Sequence, residues 1–531
     1  MRSALPAVVV ATWLAPLAGA QVTDEFRFFP PEPGASDLFG RSAAVSGDTA
    51  VIAASRDSNP PGHLYVYRGP NPWILEADIE PADGQFGDLF GYTLSMSQDT
   101  IAVGAYSHQH PTGRGAVYVF TRSGTVWSQE AELVPSNATP NDLFGFGVVV
   151  RGNKLFVADP STLNLDDLGS VYVFERTGTI WTEIDELFPT DPVNDSVAFG
   201  QSVDYDGVRL AVGARDGASS TSEGAVYVFE ETGGGFQFEQ KIVAATPSIF
   251  DNMGGSVTID GDALVAGPPR TQLSIVSGYA YVFELEAGVW TEIVRLTAPV
   301  PTNGDLFGSS LDLQGNRLLV GEPVSAFVPG TGDPGAAHIF KDLDSGWTHV
   351  VEFAASDGEP EDRFGTSVGM DGSTLVIGAL GNDQLGQSAG AAYAYEFAEP
   401  ECFLVLGNGP GLTSFRPLDH TFFPLLDEVV ESHPVLMDHL PEFAVSDSRS
   451  SGFGPTAIGR GFWVQVMMYN PVVFPQQPER RTAGLHAFVD AHGRLRTRYY
   501  GEPEGMGIRA ELSTDGQGAT TIRFPFTIEG L

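Results

Sequence analysis

A Phe-Gly pair or its near equivalent recurs seven times at almost constant spacing. The copies are Phe39-Gly40, Phe90-Gly91, Phe144-Gly145, Phe199-Gly200, Met253-Gly254, Phe307-Gly308 and Phe364-Gly365, and successive glycines stand 51, 54, 55, 54, 54 and 57 residues apart. A regular internal period marks repeated supersecondary units, none of which can bury its apolar faces alone. Each copy carries four short apolar runs, which in the second copy are Tyr92–Ser97, Ile101–Ala105, Ala116–Phe120 and Trp127–Val134. These runs are rich in β-branched and aromatic residues and bounded by Gly, Asp, Asn or Pro, the pattern of strands. Tight turns join the first two: Gly47-Asp48, Gly152-Asn153, Asp206-Gly207, Gly261-Asp262, Gly315-Asn316 and Asp371-Gly372.

Seven four-stranded antiparallel sheets stacked on one another give a radial β-propeller. The seventh copy ends at Tyr395 without a Trp-led fourth strand, whereas an orphan run precedes the first copy. Phe26 and Phe28 stand 14 and 12 residues before Gly40, as Val294 and Leu296 do before Gly308 and Val351 and Phe353 before Gly365. Residues 22–31 are therefore predicted to complete the seventh blade, which removes two exposed sheet edges. The fold class expected is all-β: a seven-bladed propeller over 21–400, closed by its N-terminal strand, followed by a small β-sandwich-like domain over 401–531. That second domain is read from runs at Phe462–Met468, Leu485–Val489, Arg494–Tyr500, Ile508–Leu512 and Thr520–Ile528, with no role assigned.

Composition agrees. The 531 residues exceed what one core ordinarily holds, roughly 250–300 residues. The 63 glycines are about 12% against a usual ~7%, which favours turns over long helices. Arg2 followed by the apolar stretch Ala4–Leu17 and Ala18-Gly19-Ala20 reads as an export signal cleaved after Ala20. No later run is long and apolar enough to span a bilayer, so a secreted or surface-held protein is expected. Cys402 is the single cysteine and leaves no intrachain disulfide. A net charge of −39, of which −34 falls in residues 1–400, argues against nucleic acid and anionic membrane as partners, since binding polyanions takes clustered Lys and Arg. Scattered as it is, the acidity reads as a solubilising surface.

Phe-Gly, a strand, a Val-Gly-Ala element (Val103-Gly104-Ala105, Val212-Gly213-Ala214, Ile377-Gly378-Ala379) and a run such as Gly115-Ala-Val-Tyr-Val-Phe together resemble the FG-GAP repeat. This is the blade unit of the integrin α-subunit propeller and of many bacterial exported proteins. The resemblance covers about 22–400 and implies an extracellular propeller used for binding or adhesion. Integrin-type blades often hold calcium in the first hairpin through alternating Asp residues. Here even Asp204-Tyr-Asp206-Gly207 and Asp260-Gly-Asp262 offer too few oxygens for the six to eight that calcium prefers. No cofactor and no metal is expected, with calcium the one alternative left open although the alternating-Asp motif is absent.

Other motifs read as repeat grammar. Gly365-Thr-Ser367-Val-Gly369 matches a nucleophile elbow, but the same serine recurs as Ser42, Ser202 and Ser256. Trp73, Trp127, Trp181, Trp290 and Trp347 share one fourth-strand position and are assigned to blade packing. An Asp three residues before the Gly (Asp37, Asp88, Asp142, Asp251, Asp305, Asp362) is assigned to a local turn accepting backbone N–H groups. His108 and His110 are read as solvated loop histidines.

Variation marks the binding face, because rigid scaffolds present their chemistry on irregular loops. The segments joining second and third strands are Ser55–Pro61, Tyr106–Arg114, Pro160–Leu168, Arg215–Glu223, Pro269–Ser277, Pro323–Pro334 and Leu380–Ala389. They place Arg56, His108, Asp167, Arg215, Arg270, Phe327 and Asp383 on one expected rim; the same segments also read as tolerated surface loops. Two functions remain open. One is an exported, non-catalytic and monomeric scaffold that binds an extracellular protein or glycan. The other is a polysaccharide hydrolase or lyase with carboxylates at the propeller channel.

Overall fold

The computed structural model describes residues 25–55, 62–70, 72–108, 113–139, 142–160, 168–190, 198–215, 223–246, 252–268, 277–302, 304–324, 333–343 and 346–398, together with the backbone of strand residues 21–22 and of the strands after 400. All regular elements among them are strands. The first blade runs Phe39–Ser46, Thr49–Ala54, His63–Arg68 and Ile74–Ile79, and five further four-stranded antiparallel sheets follow in the same order through Gly346–Phe353. The seventh blade has Phe364–Asp371, Thr374–Ala379 and Ala391–Ala398, and its outer strand is Phe26–Phe28, paired as Phe26 with Ala394, Arg27 with Tyr393 and Phe28 with Ala392. This is the closure read from the sequence.

Period-two alternation explains the repeated run of the third strand. In Ala116–Ser123, Tyr118 and Phe120 face the Phe90 ring of their own blade, at 5.5 and 6.1 Å between centroids. The intervening Val117 and Val119 face the third blade, in a core with Phe144, Val148 and Val157. Each sheet thus buries both faces, and the ring closes where Phe28, Ala392 and Ala394 share a core with Phe39, Ile52 and Tyr65. Trp73, Trp181 and Trp290 are buried in such inter-blade cores, with Trp127 and Trp347 packed against two others.

The glycines sit where backbones meet. A Cβ on Gly104 would lie 1.9 Å from the Gly145 carbonyl oxygen, and one on Gly115 would lie 2.0 Å from that of Phe144. Gly115 also holds a φ of 75°, a left-handed conformation that side chains resist. The Val-Gly-Ala and Gly-Ala-Val-Tyr-Val-Phe glycines therefore form the slot that receives the next blade's Phe-Gly.

Side chains stitch one blade to the next. Ser42, Ser202, Ser256, Ser310 and Ser367 donate to the carbonyls of Gly91, Gly254, Gly308, Gly365 and Gly40, at 2.8, 2.9, 2.6, 2.7 and 2.9 Å. The elbow-like Ser367 is thus the seam member of a repeated contact. Replacing Ser367 by Ala should cost about 1 kcal/mol, the worth of one buried hydrogen bond. Ser310→Ala should cost the same, and urea denaturation of the two variants checks this.

The segment after residue 400 contains a four-stranded antiparallel meander, Glu442–Asp447, Gly461–Met468, Arg481–Val489 and Leu495–Tyr500, and a hairpin, Glu511–Thr514 with Thr520–Arg523. The first of these strands was not foreseen. The β class of the segment is as expected.

Candidate ligand-binding site

Every copy of the Phe-Gly element builds the same turn. The residue after the Gly donates its N–H to the carbonyl three residues back: Arg41 to Leu38, Tyr92 to Leu89, Phe146 to Leu143, Gln201 to Ala198, Gly255 to Asn252, Ser309 to Leu306 and Thr366 to Arg363, at 3.0 to 3.3 Å. The preceding Asp supports the turn as anticipated. Asp37, Asp88, Asp142, Asp305 and Asp362 accept the N–H groups of Gly34, Gln85, Thr139, Thr302 and Glu359, while Asp251 lies outside the described residues. Seven equivalent positions at the start of the innermost strands therefore ring the axis, on the face where second and third strands connect.

On one side of this ring the residues are cationic and aromatic. The Arg41 guanidinium lies 4.2 Å from the centroid of the Tyr92 ring. Tyr92 in turn meets Tyr106 at 4.5 Å and Phe146 at 5.2 Å. Arg215 belongs to the fourth blade yet interacts electrostatically with Tyr92 of the second. Arg363 of the seventh blade is close enough to Arg41 to feel its charge. Burial lowers the pKa of Arg215, opposed only by Tyr92, and that of Arg363, opposed by Glu361. The Arg215 Nε is buried with no hydrogen-bond partner among the described residues. All six residues are of intermediate burial.

Farther along the same inner strands the sign reverses. Asp204 accepts the N–H of Ile259 at 2.8 Å and the hydroxyl of Thr258 at 3.0 Å, and Asp312 accepts the N–H of Met370 at 2.7 Å. At the hairpins, Asp206 accepts from Gly261, Asp260 from Gly315 and Asp371 from Gly47. These carboxylates accept hydrogen bonds from donors of the next blade.

Of the three expected rim residues that are described, His108, Arg215 and Asp383, Arg215 lies at this mouth. Asp383 is exposed and accepts the Ser388 N–H within its own loop. Arg56, Asp167, Arg270 and Phe327, like His110 and the export segment 1–20, lie outside the described residues. His108 corrects the reading of a solvated histidine, being 3% exposed. Its Nδ1 stands 3.0 Å from the buried Asp88 carboxylate, and its Nε2 is 3.8 Å from Asp83 and 3.8 Å from Glu132. The hydrogen bond to Asp88 raises the pKa of His108 above the usual imidazole range, against the effect of burial. The mouth residues Arg41, Tyr92 and Phe146 were missed because variation was sought only in the segments joining second and third strands, and these three stand directly after the Phe-Gly pair. The available signal was variability directly after a constant Phe-Gly.

A family model described as FG-GAP repeat matches residues 22–67, 73–120, 127–174, 181–229, 290–340 and 347–395, more than half of the chain. The chain belongs to the FG-GAP repeat family. Most of these windows begin at the fourth-strand Trp, so the family unit straddles two blades, and window 22–67 begins with the closing strand. The fifth Phe-Gly element, where Met253 and Tyr279 depart from the pattern, falls outside the windows, yet its blade forms with the same four strands. No curated protein matches the chain. Among the described residues no helix is long and apolar enough to cross a membrane. Family and fold support a binding or scaffold role in general terms.

Proposed function

We propose that this chain is an exported, non-catalytic binding scaffold of the adhesion type, whose propeller mouth recognises an acidic group on an extracellular glycan or protein. The observation that carries this reading is the Arg215, Tyr92, Arg41 and Arg363 arrangement contributed by four blades. In a chain of net charge −39, three arginines gathered at one axial opening, two with pKa values lowered by burial, oppose the prevailing sign. A carboxylate or sulfate arriving there would accept charge-assisted hydrogen bonds, and Tyr92, Tyr106 and Phe146 would supply flat apolar surface for a sugar or aromatic ring. Export rests on the Arg2 to Ala20 pattern.

Glycan and peptide arrays with matched acidic and neutral members test the reading. Acidic members should bind, more weakly as salt rises. Arg215→Ala and Arg41→Ala should each weaken binding roughly tenfold or more, the worth of a charge-assisted bond. Equal binding of neutral members, or no effect of either substitution, would overturn it. One observation favours the hydrolytic alternative: Asp312, on the innermost strand of the sixth blade, has its pKa pushed up to about 7 by burial and by Asp204, Asp371 and Asp260. Polysaccharide turnover abolished by Asp312→Asn would select that reading instead.

A further inference from the structure

We propose that Asp83, His108 and Glu132 form a three-ligand site for a divalent cation of the zinc class. Asp83 comes from the connection entering the second blade, His108 from the turn after Thr100–Ala105, and Glu132 from the outer strand Val126–Leu133. One oxygen from each carboxylate and one nitrogen of the imidazole all lie within 4.8 Å of one another. Tetrahedral zinc, with bonds of about 2.0–2.2 Å, needs donors roughly 3.3–3.5 Å apart. The 3.8 Å separations from Nε2 therefore close with shifts of less than about an ångström. Asp83 and Glu132 have side chains 48% and 35% exposed and are free to make them.

What distinguishes this histidine is the division of labour between its nitrogens. The buried Asp88 carboxylate holds Nδ1, as outer carboxylates hold metal-binding histidines, and Tyr118 donates to Asp83 at 2.9 Å, orienting that ligand. Nε2 is left facing two carboxylates beyond hydrogen-bond distance. Neither of the other described buried histidines has one unbonded nitrogen facing two carboxylates. His63 sits 2.9 Å from Asp78 and 3.3 Å from Glu80 through its two nitrogens, and His338 bonds Glu322 on one side and His349 on the other. An imidazole with two carboxylates and an open fourth position suits zinc, nickel or copper. Calcium and magnesium prefer a full shell of oxygens. The bound ion would tie the loop carrying Tyr106 to the outer strand of its blade.

Calorimetric titration of the full chain with zinc chloride in excess calcium, which occupies scattered surface carboxylates, tests the proposal, with cobalt as a spectroscopic probe. The expected result is one saturable zinc site and a visible cobalt band of low-coordinate type. His108→Ala and Glu132→Gln should each weaken zinc by about tenfold or more. Asp88→Asn, at a positioning residue, should weaken it roughly 10–100-fold while leaving the cobalt band in place. Melting in EDTA establishes that the variants are folded; if His108→Ala is not, the exposed Glu132→Gln decides. Non-stoichiometric binding, or zinc affinity unchanged in the folded variants, would overturn the site.

Discussion

Phe28→Ala should destabilise the propeller by about 3–5 kcal/mol, and by more than Phe353→Ala. The two residues hold the same fourth-strand register and are 1% and 2% exposed, so the side-chain term is alike. They differ in what holds the strand. Gly346–Phe353 is the second arm of a hairpin, whereas Phe26–Phe28 reaches Ala391–Ala398 from the far end of the chain. Phe28 meets Tyr67 at 4.7 Å and Trp73 at 5.5 Å, both in the first blade. The Tyr67 hydroxyl donates to the Phe29 carbonyl at 2.6 Å, and Glu25 accepts from Ser356 and Tyr395. Arg27 donates to Asn382 at 2.9 Å and also pairs with Asp357 and Gln384. Loss of the Phe28 ring therefore loosens a clasp that joins the first and last blades and bares the edge of Ala391–Ala398, a template for intermolecular pairing. Thermal melting and limited proteolysis around residue 30 check this. Equal melting temperatures for the two variants, with no gain in cleavage, would mean that the ring is held without its clasp.

The clasp was legible because its evidence is a register, and a register survives as bare spacing in sequence. The same holds for the Asp turns and for Ser367, whose repeated neighbours betrayed a structural role before the hydrogen bond to Gly40 was seen. The site lay elsewhere, in departures from the repeat. Arg41, Tyr92, Phe146 and Arg363 follow or precede the invariant pair and look unrelated until seven turns arrange them about one axis. His108 looked solvated because its partners, Asp83, Asp88 and Glu132, stand on three other segments and no local spacing announces them. Blade six is similar. His338 occupies the position of Tyr118 and Tyr393, and Glu322 that of Ala105 and Ala379. Each replacement alone reads as noise, and only strand pairing shows them as one buried contact.

Those buried acids set the pH response. Stability should fall as pH rises from 5 to 9. Burial, with help from Asp204, Asp371 and Asp260, pushes Asp312 up to about 7 from 3.8, and burial with Asp305, Asp333 and Glu352 pushes Glu322 up to about 9 from 4.5. A carboxyl raised on folding binds its proton more tightly in the folded chain. Its contribution is fully present below the unfolded value and is lost as pH climbs through the folded one: between roughly 4 and 7 for Asp312, and between roughly 4.5 and 9 for Glu322. Within its window each group costs up to about 1.4 kcal/mol per pH unit. Burial lowers His338 and His349 instead, so their contribution is present above about 6.5 and lost toward acid. The two trends place the optimum on the mildly acidic side. Asp312→Asn keeps an oxygen for the Met370 N–H, and Glu322→Gln keeps an N–H for His338, so the double variant should melt higher than the parent at pH 8.5 and close to it at pH 5. Relief of general repulsion in a chain of net charge −39 would act in the same direction with pH. It would not be erased by two substitutions at interior sites, so a double variant that retains the parent's full alkaline slope would assign the effect to surface charge and remove these two carboxyls from the account.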